Sequence, residues 1–261
     1  MESWPLQLFN KSVLKQEKLD ALLEGIGGST AGLSCLDVGG DNGVVSLLLR
    51  ELGGEWVSAD LDAGAVAAIR QLVGGEVVCL DGATTPFADD HFDLIVIIDY
   101  FEHIDDDVAF VAELQRILRP GGRLVVNTPH AKTSLLRRLR LMLGQSDAKH
   151  GHVRHGYTDS SMTRLLEPSF AVTSVRTYSR FFSELIDTAM QAAVEQTKGE
   201  SDSQKGVFVT GDDLAKHRKA LRLYSAVYPV LKVISTLNLF VPFSGYKLLA
   251  TATSKKAPDG A

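Results

Sequence analysis

Leu36-Asp37-Val38-Gly39-Gly40-Asp41-Asn42-Gly43 is the stretch that decides the fold. An apolar run ends on Asp37, Gly39 and Gly43 follow, and Val44–Arg50 reads as a helix. This is a strand, a glycine turn and a helix start. Glycine removes side chains where a ligand must approach backbone, and a helix N-terminus offers free N–H groups. A dinucleotide fold asks for G-x-G-x-x-G with a pyrophosphate over the helix end. Here the pattern is D-x-G-x-x-x-G. An acid ahead of the first glycine repels a pyrophosphate and suits a ligand that carries an ammonium group.

Outward from this turn the chain alternates. Asn10–Gly27 is predicted helical, with Leu14, Leu19, Leu22 and Leu23 as its apolar stripe. Strands follow at Leu33–Val38, Glu55–Asp60, Glu76–Asp81, Phe92–Ile98 and Arg123–Asn127. Helices are expected at Gly43–Leu52, Ala63–Leu72 and Asp106–Leu118, the last ended by Pro120-Gly121-Gly122. The unbroken apolar run Leu94–Ile98 predicts a strand buried on both faces. The rhythm predicts an α/β fold with a doubly wound, Rossmann-like sheet. After Thr128 it loosens. A basic amphipathic helix is expected at Thr133–Leu143, then a His-rich loop, a helix at Asp159–Leu166 and a strand at Ala171–Tyr178. Ser183–Thr197 and Asp213–Leu239 read as helices, interrupted or bent near Pro229. Tyr246–Thr253 alternates as a last strand, and Ser254–Ala261 is expected to be disordered.

At 261 residues the chain suits one generous domain. The expected division is an N-terminal helix (1–32), a cofactor core (33–130), substrate-side elements (131–178), a helical insertion serving as lid or dimer surface (179–244) and the last strand (245–254). A net charge of −5 argues against general nucleic-acid binding. Cys35 and Cys79 lie in apolar runs and are expected to be buried thiols in a reducing compartment. Met1–Asn10 lacks a basic start and apolar core, so no signal peptide is expected. No apolar run reaches the ~18 residues a span needs, and a cytoplasmic location is expected.

Asp37, Asp60, Asp81 and Asp99 end four strands. Ligands of open α/β sheets sit beyond those carboxyl ends. Together with the glycine turn, the four acids point to a site. The turn resembles motif I of class I S-adenosylmethionine (SAM) dependent methyltransferases, with Asp41 where that family usually has a third glycine. Pro86-Phe87-Ala88-Asp89-Asp90-His91-Phe92-Asp93 resembles the family's L-P-F-x-x-x-x-F-D signature, and Leu118-Arg119-Pro120-Gly121-Gly122 its L-x-P-G-G turn. The likeness runs in order over residues 33–128. It implies a seven-stranded, mostly parallel sheet with one antiparallel strand, SAM as cofactor, and methyl transfer. By resemblance Asp37 faces the methionine ammonium, often through water, Asp60 takes the ribose hydroxyls with Leu61 beside it and Asp62 as the neighbouring alternative, and Asp81 with Gly82 reads adenine. Gly39, Gly43 and the Asp99 backbone complete the cofactor set.

Asp99-Tyr100-Phe101-Glu102-His103 resembles the E-x-x-E-H of metal-dependent ubiquinone-pathway O-methyltransferases and small-RNA 2′-O-methyltransferases, which use a second histidine downstream; His152 stands at that distance. His103, Glu102 and His152 are the catalytic candidates, with His103 as general base or substrate contact. No metal is assigned. The candidate ligands for a divalent ion are Asp99, Glu102, His103 and His152. His150, His152, Arg154, His155 and Tyr157 read as a solvated loop or a substrate wall. Arg137, Arg138 and Arg140 read as a solvated face or a contact for anionic lipid or phosphate. Leu221–Phe243, with Tyr224, Tyr228, Phe240 and Phe243, reads as packing, lid, dimer surface or membrane-resting helix. The expected acceptor is a small molecule or a glycan- or lipid-linked intermediate, methylated on a hydroxyl oxygen. N- or C-methylation, or a catalytically silent SAM-binding scaffold, are the alternatives.

Overall fold

The central strand Phe92–Ile98 (β4) is apolar except at Asp93, and its apolar side chains are 0–2% exposed. That is the signature of a strand covered on both faces. The computed structural model describes residues 3–142, 151–197 and 213–257. His150, residues 258–261 and the side chains of Leu221 and Tyr224 lie outside the described residues.

Seven strands form one sheet in the order β3-β2-β1-β4-β5-β7-β6. They are Ser34–Val38 (β1), Glu55–Asp60 (β2), Val77–Cys79 (β3), β4, Leu118–Pro129 (β5), Phe170–Tyr178 (β6) and Lys247–Ser254 (β7). β7 runs antiparallel to both β5 and β6, and the other pairings are parallel. Strand order reverses between β1 and β4, so the crevice of an open sheet falls at the carboxyl ends of β1, β2 and β4.

Nine helices accompany the sheet among the described residues: Trp4–Phe9 (α1), Val13–Ile26 (α2), Val44–Arg50 (α3), Ala63–Val73 (α4), Asp107–Ile117 (α5), Leu135–Met142 (α6), Asp159–Leu166 (α7), Phe181–Thr197 (α8) and Asp213–Thr236 (α9). Short 3-10 turns cover Phe101–His103 and Leu237–Phe240. Local caps explain several boundaries. Ser12 accepts the Lys15 N–H ahead of α2, Asp62 accepts that of Ala65 ahead of α4, and Gly27 and Gly74 close these two helices in the left-handed region. Helix α9 passes through Pro229 without ending.

Three expectations change. The short helix α1 precedes the expected first one. Helix α5 ends at Ile117, before the Pro-Gly-Gly, which lies inside β5: Leu118 pairs with Phe92 and Arg123 with Leu94, so the intervening residues form a bulge. Proline has no N–H for a ladder and glycine tolerates a bulge, so such a turn deforms a strand as readily as it stops a helix. Finally, Cys35 is buried but Cys79 is exposed, because β3 is the short edge strand of the sheet.

Candidate active site

A cleft of about 880 Å³ lies across the carboxyl ends of the parallel strands. Asp60, Leu61 and Gly39 border one end, Asp99, Glu102 and His103 the middle, and residues of α6 and α8 the far wall.

The glycine turn is built by packing. A Cβ at Gly39 would come within 2.0 Å of the Ile98 carbonyl oxygen, one at Gly40 within 2.3 Å of Ser46 Oγ, and one at Gly43 within 2.8 Å of Ile69 Cα. Gly39 and Gly43 also hold φ of 89° and 82°. Protein atoms thus account for these glycines, and of the two named in the sequence only Gly39 borders the cleft. Asp41 takes a left-handed φ of 51°, a conformation aspartate tolerates, which explains how it replaces a glycine.

Asp37 does not face the cleft. Its carboxylate is fully buried and accepts hydrogen bonds from Ser46 Oγ and, at 2.7 Å, Ser58 Oγ; Arg50 lies 3.4 Å away. Burial pushes its pKa up, against the pull of these donors. The acid therefore ties β1, β2 and α3 together beneath the turn, where direct contact with a ligand ammonium is not available to it. The helpers Ser46, Arg50 and Ser58 are the residues sequence reading missed.

Asp60 ends β2 on the cleft. Its oxygens accept the backbone N–H groups of Asp62 (3.1 Å) and Asp41 (3.4 Å), and burial raises its pKa. Asp62 caps α4 through Ala65, which occupies one of its oxygens. Asp81 is exposed and accepts from Thr84 Oγ1 at 3.3 Å, while the Gly82 carbonyl accepts from Tyr100 at 3.0 Å. Neither residue borders the cleft, because the loop after β3 turns toward solvent at the sheet's edge.

Asp99 sits in the middle of the cleft floor with a left-handed φ of 46°. Lys18 of α2 reaches one oxygen at 2.5 Å; Lys247 of β7 and Asn127 of β5 reach the other at 2.8 and 3.1 Å. Burial disfavours its charge, yet the two ammonium groups overcome that and hold the carboxyl well below the usual carboxylate range. Among the described residues the clustered donors are Glu102, His103 and His152, and Asp99 is not in that group. Lys18 and Lys247 come from the two ends of the chain, which no local motif could announce.

Glu102 is 1% exposed. Burial, and then the Asp99 charge, push its pKa up to about 7, and Thr128 donates to it at 3.3 Å. His103 Nδ1 lies 3.0 Å from the Gly151 carbonyl oxygen. A carbonyl only accepts, so Nδ1 carries a proton in this contact, and in a neutral ring the lone pair is then on Nε2. The His103 and His152 rings meet edge to face at 4.8 Å between centroids. One ligand atom from each of Glu102, His103 and His152 lies within 4.8 Å of the others.

The loop carrying His152 is fastened to the sheet. Val153 N–H donates to the Glu102 carbonyl at 2.9 Å, and Arg154 binds Asp107, the Ile104 and Asp105 carbonyls and Tyr157 Oη. Tyr157 is buried. Arg154 and Tyr157 are thus fasteners, which corrects their reading as substrate wall; His152 and His155 border the cleft. Arg140 likewise turns inward, to Asp187 at 2.8 Å and Thr188 at 2.8 Å, and Lys132 pairs with Glu184 at 2.9 Å.

Residues 36–126 match a family described as "Methyltransferase domain". An uncharacterized methyltransferase of Mycobacterium avium is 33% identical over 106 residues, 40% of this chain and 42% of the relative. A demethylmenaquinone methyltransferase of Mycobacterium sp. (strain JLS) is 37% identical over 95 residues, 36% of this chain and 41% of the relative. The chain spans about two fifths of the length of these curated relatives. The solved [4+2]-cyclase SpnF has the same fold, with a TM-score of 0.62 at 17% identity, covering 93% of this chain and 82% of its own. Residues 36–126 are thus similar to a methyltransferase domain, and the strand order and glycine turn around them agree with that likeness.

Proposed function

We propose that the chain binds SAM along Gly39, Asp60 and Asp99 and catalyses methyl transfer to a hydroxyl of a small-molecule or glycan- or lipid-linked acceptor. The observation that carries this reading is the continuous cleft from Asp60 to the Glu102–His103–His152 cluster. Its volume of about 880 Å³ is near the upper end of ligand pockets, room for a cofactor and an acceptor together. Asp60 fits the cofactor: each of its oxygens takes one backbone N–H and keeps a lone pair for a ribose hydroxyl.

The sulfonium, when bound, supplies an already activated methyl group. The chain's part is to align the acceptor and remove its proton, and alignment is worth up to ~7–11 kcal/mol in favourable cases. Glu102 and His103 stand at the cleft centre. In its neutral tautomer His103 would supply the lone pair of a general base, and Glu102 can hold or release a proton near neutral pH. Glu184, Asp187 and Met190 of α8 border the cleft, which supports the insertion as a cover over the acceptor.

A divalent ion is a second reading, favoured by the three clustered donors. Ligands ~2.1 Å from one ion lie at most about 4.2 Å apart, so the cluster would need to contract by some tenths of an ångström. Calorimetry with S-adenosylhomocysteine and NAD tests the cofactor reading. Binding of the former is expected, weakened by ~1.5–3 kcal/mol in Asp60→Ala; heat with NAD alone overturns it. SAM turnover that vanishes with a chelator would select the metal reading, and binding without turnover across a metabolite pool the silent scaffold.

A further inference from the structure

Helix α6 is amphipathic in the inverted sense. Arg137 borders the cleft and Arg140 is half-buried against Asp187, while Leu135 (78% exposed), Leu139 and Met142 (84%) face solvent. Leu239, Phe240 and Phe243, beside the 3-10 turn that follows α9, are also bare, at 81, 84 and 71%. Val230 and Val233 of α9 continue this surface. These elements adjoin one another: α8 packs on α6, α9 and that 3-10 turn, and Lys132 reaches the Ser244 carbonyl at 2.8 Å. Exposed apolar surface gathered from three neighbouring elements marks an interaction face.

Charge identifies its occupant. Residues 130–142 contain Lys132, Arg137, Arg138 and Arg140 and no acid. Residues 213–243 contain five Lys or Arg and one acid, Asp213. Of these, Arg138 and Arg222 are exposed, so the stretches that bare apolar residues also present positive charge on a chain of net charge −5. Two copies joined through this face about a twofold axis would oppose like charges, which counts against a dimer.

We propose that α6, α9 and the 237–243 turn dock the chain on an anionic lipid bilayer, with Leu239, Phe240 and Phe243 entering the interface and Arg138 meeting headgroup charge. No helix among the described residues is long and apolar enough to cross a membrane, so the contact is peripheral. Leu141 of α6 is both exposed and on the cleft, so docking through α6 sets that rim of the cleft beside the lipid surface. An acceptor held in the bilayer could then be reached without leaving it.

The test is co-sedimentation of the full chain with vesicles of phosphatidylcholine alone and of phosphatidylcholine with one-third phosphatidylglycerol. Pelleting with the anionic vesicles and weak pelleting with the neutral ones is expected. Each basic residue near an anionic surface contributes about fivefold, so Arg138→Glu should weaken binding at least that much. Phe240→Ser with Phe243→Ser should weaken it more than tenfold. Unchanged S-adenosylhomocysteine binding by both variants shows that the fold is kept, and that readout is independent of the vesicles. Partition equal to wild type in both variants, or no partition with either vesicle, overturns the proposal. A concentration-dependent dimer in the ultracentrifuge, lost in the Phe variant while vesicles are ignored, assigns the face to a second copy instead.

Discussion

On the β2 side of the cleft, a buried carboxylate, two serines, an arginine and three glycines fit so closely that almost any added atom collides with backbone or a packed side chain. On the α6–α8 side, Arg140 of α6 meets Asp187 of α8, Lys132 ahead of α6 meets Glu184, and leucines are left in solvent. The first wall is held by shape, the second by charge. Shape tolerates no variation and suits a ligand that never changes. Arg140–Asp187, partly exposed on both sides, separates at smaller cost than a buried pair and suits a wall that must admit something.

Glu102 stands where the walls meet, its carbonyl taking Val153 N–H and its side chain taking Thr128. Glu102→Gln should therefore have the largest effect, a loss of about 10²–10⁴-fold in turnover with S-adenosylhomocysteine affinity nearly unchanged. With a pKa of about 7, the ionised form gains ground as pH rises, so wild-type kcat/KM should climb through that region and the variant should lose the limb. A limb that survives in Glu102→Gln transfers the role to His103. Stability carries the opposite sign. The folded-state pKa lies above the ordinary 4.5, so the neutral acid favours the fold, and that contribution fades as pH rises from 4.5 toward about 7. The variant should melt above wild type at about pH 8 and not at about pH 4.

Next in size, Gly39→Ala breaks the shape-held wall. The Ile98 carbonyl at 2.0 Å and a φ of 89° act together. A loss of ~2–5 kcal/mol is expected, read as a lower melting temperature and lost cofactor binding. A variant that melts like wild type would show that the turn has slack and end the contrast between the walls. The smallest effect sharpens it. Asp187→Asn should cost at most about 1 kcal/mol globally, yet speed amide exchange across Phe181–Met190. Global and local readouts changing together would mean that the second wall is as rigid as the first.

The same contrast decides what the sequence made legible. β2, β4 and α7 carry their own periodicity and caps, and their bounds are those read from the chain. Asp60 follows from its place at a strand end, and the His103–His152 approach is the one the family resemblance implied. The destination of a side chain over long separations does not. Nothing local tells that Asp37 turns to Ser46 and Ser58, that Lys18 and Lys247 converge on Asp99, or that Arg154 fastens a loop. Arg140 reads as a solvent-facing cation until α8, nearly fifty residues on, supplies Asp187. Even the Pro-Gly-Gly misleads for a physical reason, since a bulge and a helix stop use the same residues.

The place of β7 has a consequence for the order in which the molecule is made. It slots between β5 and β6 and brings Lys247 to Asp99. A growing chain can pair β1 to β5 early, but β6 has no partner until residues 247–254 arrive. During synthesis β5 keeps an open edge, and Asp99 keeps only Lys18 and Asn127 for company. The floor of the cleft is thus assembled last, from the two ends of the chain, and these non-local pairings should set the slow step of folding. A nascent chain released before Lys247 would carry the whole matched core, 36–126, with its catalytic floor unfinished and an unpaired strand exposed to its neighbours.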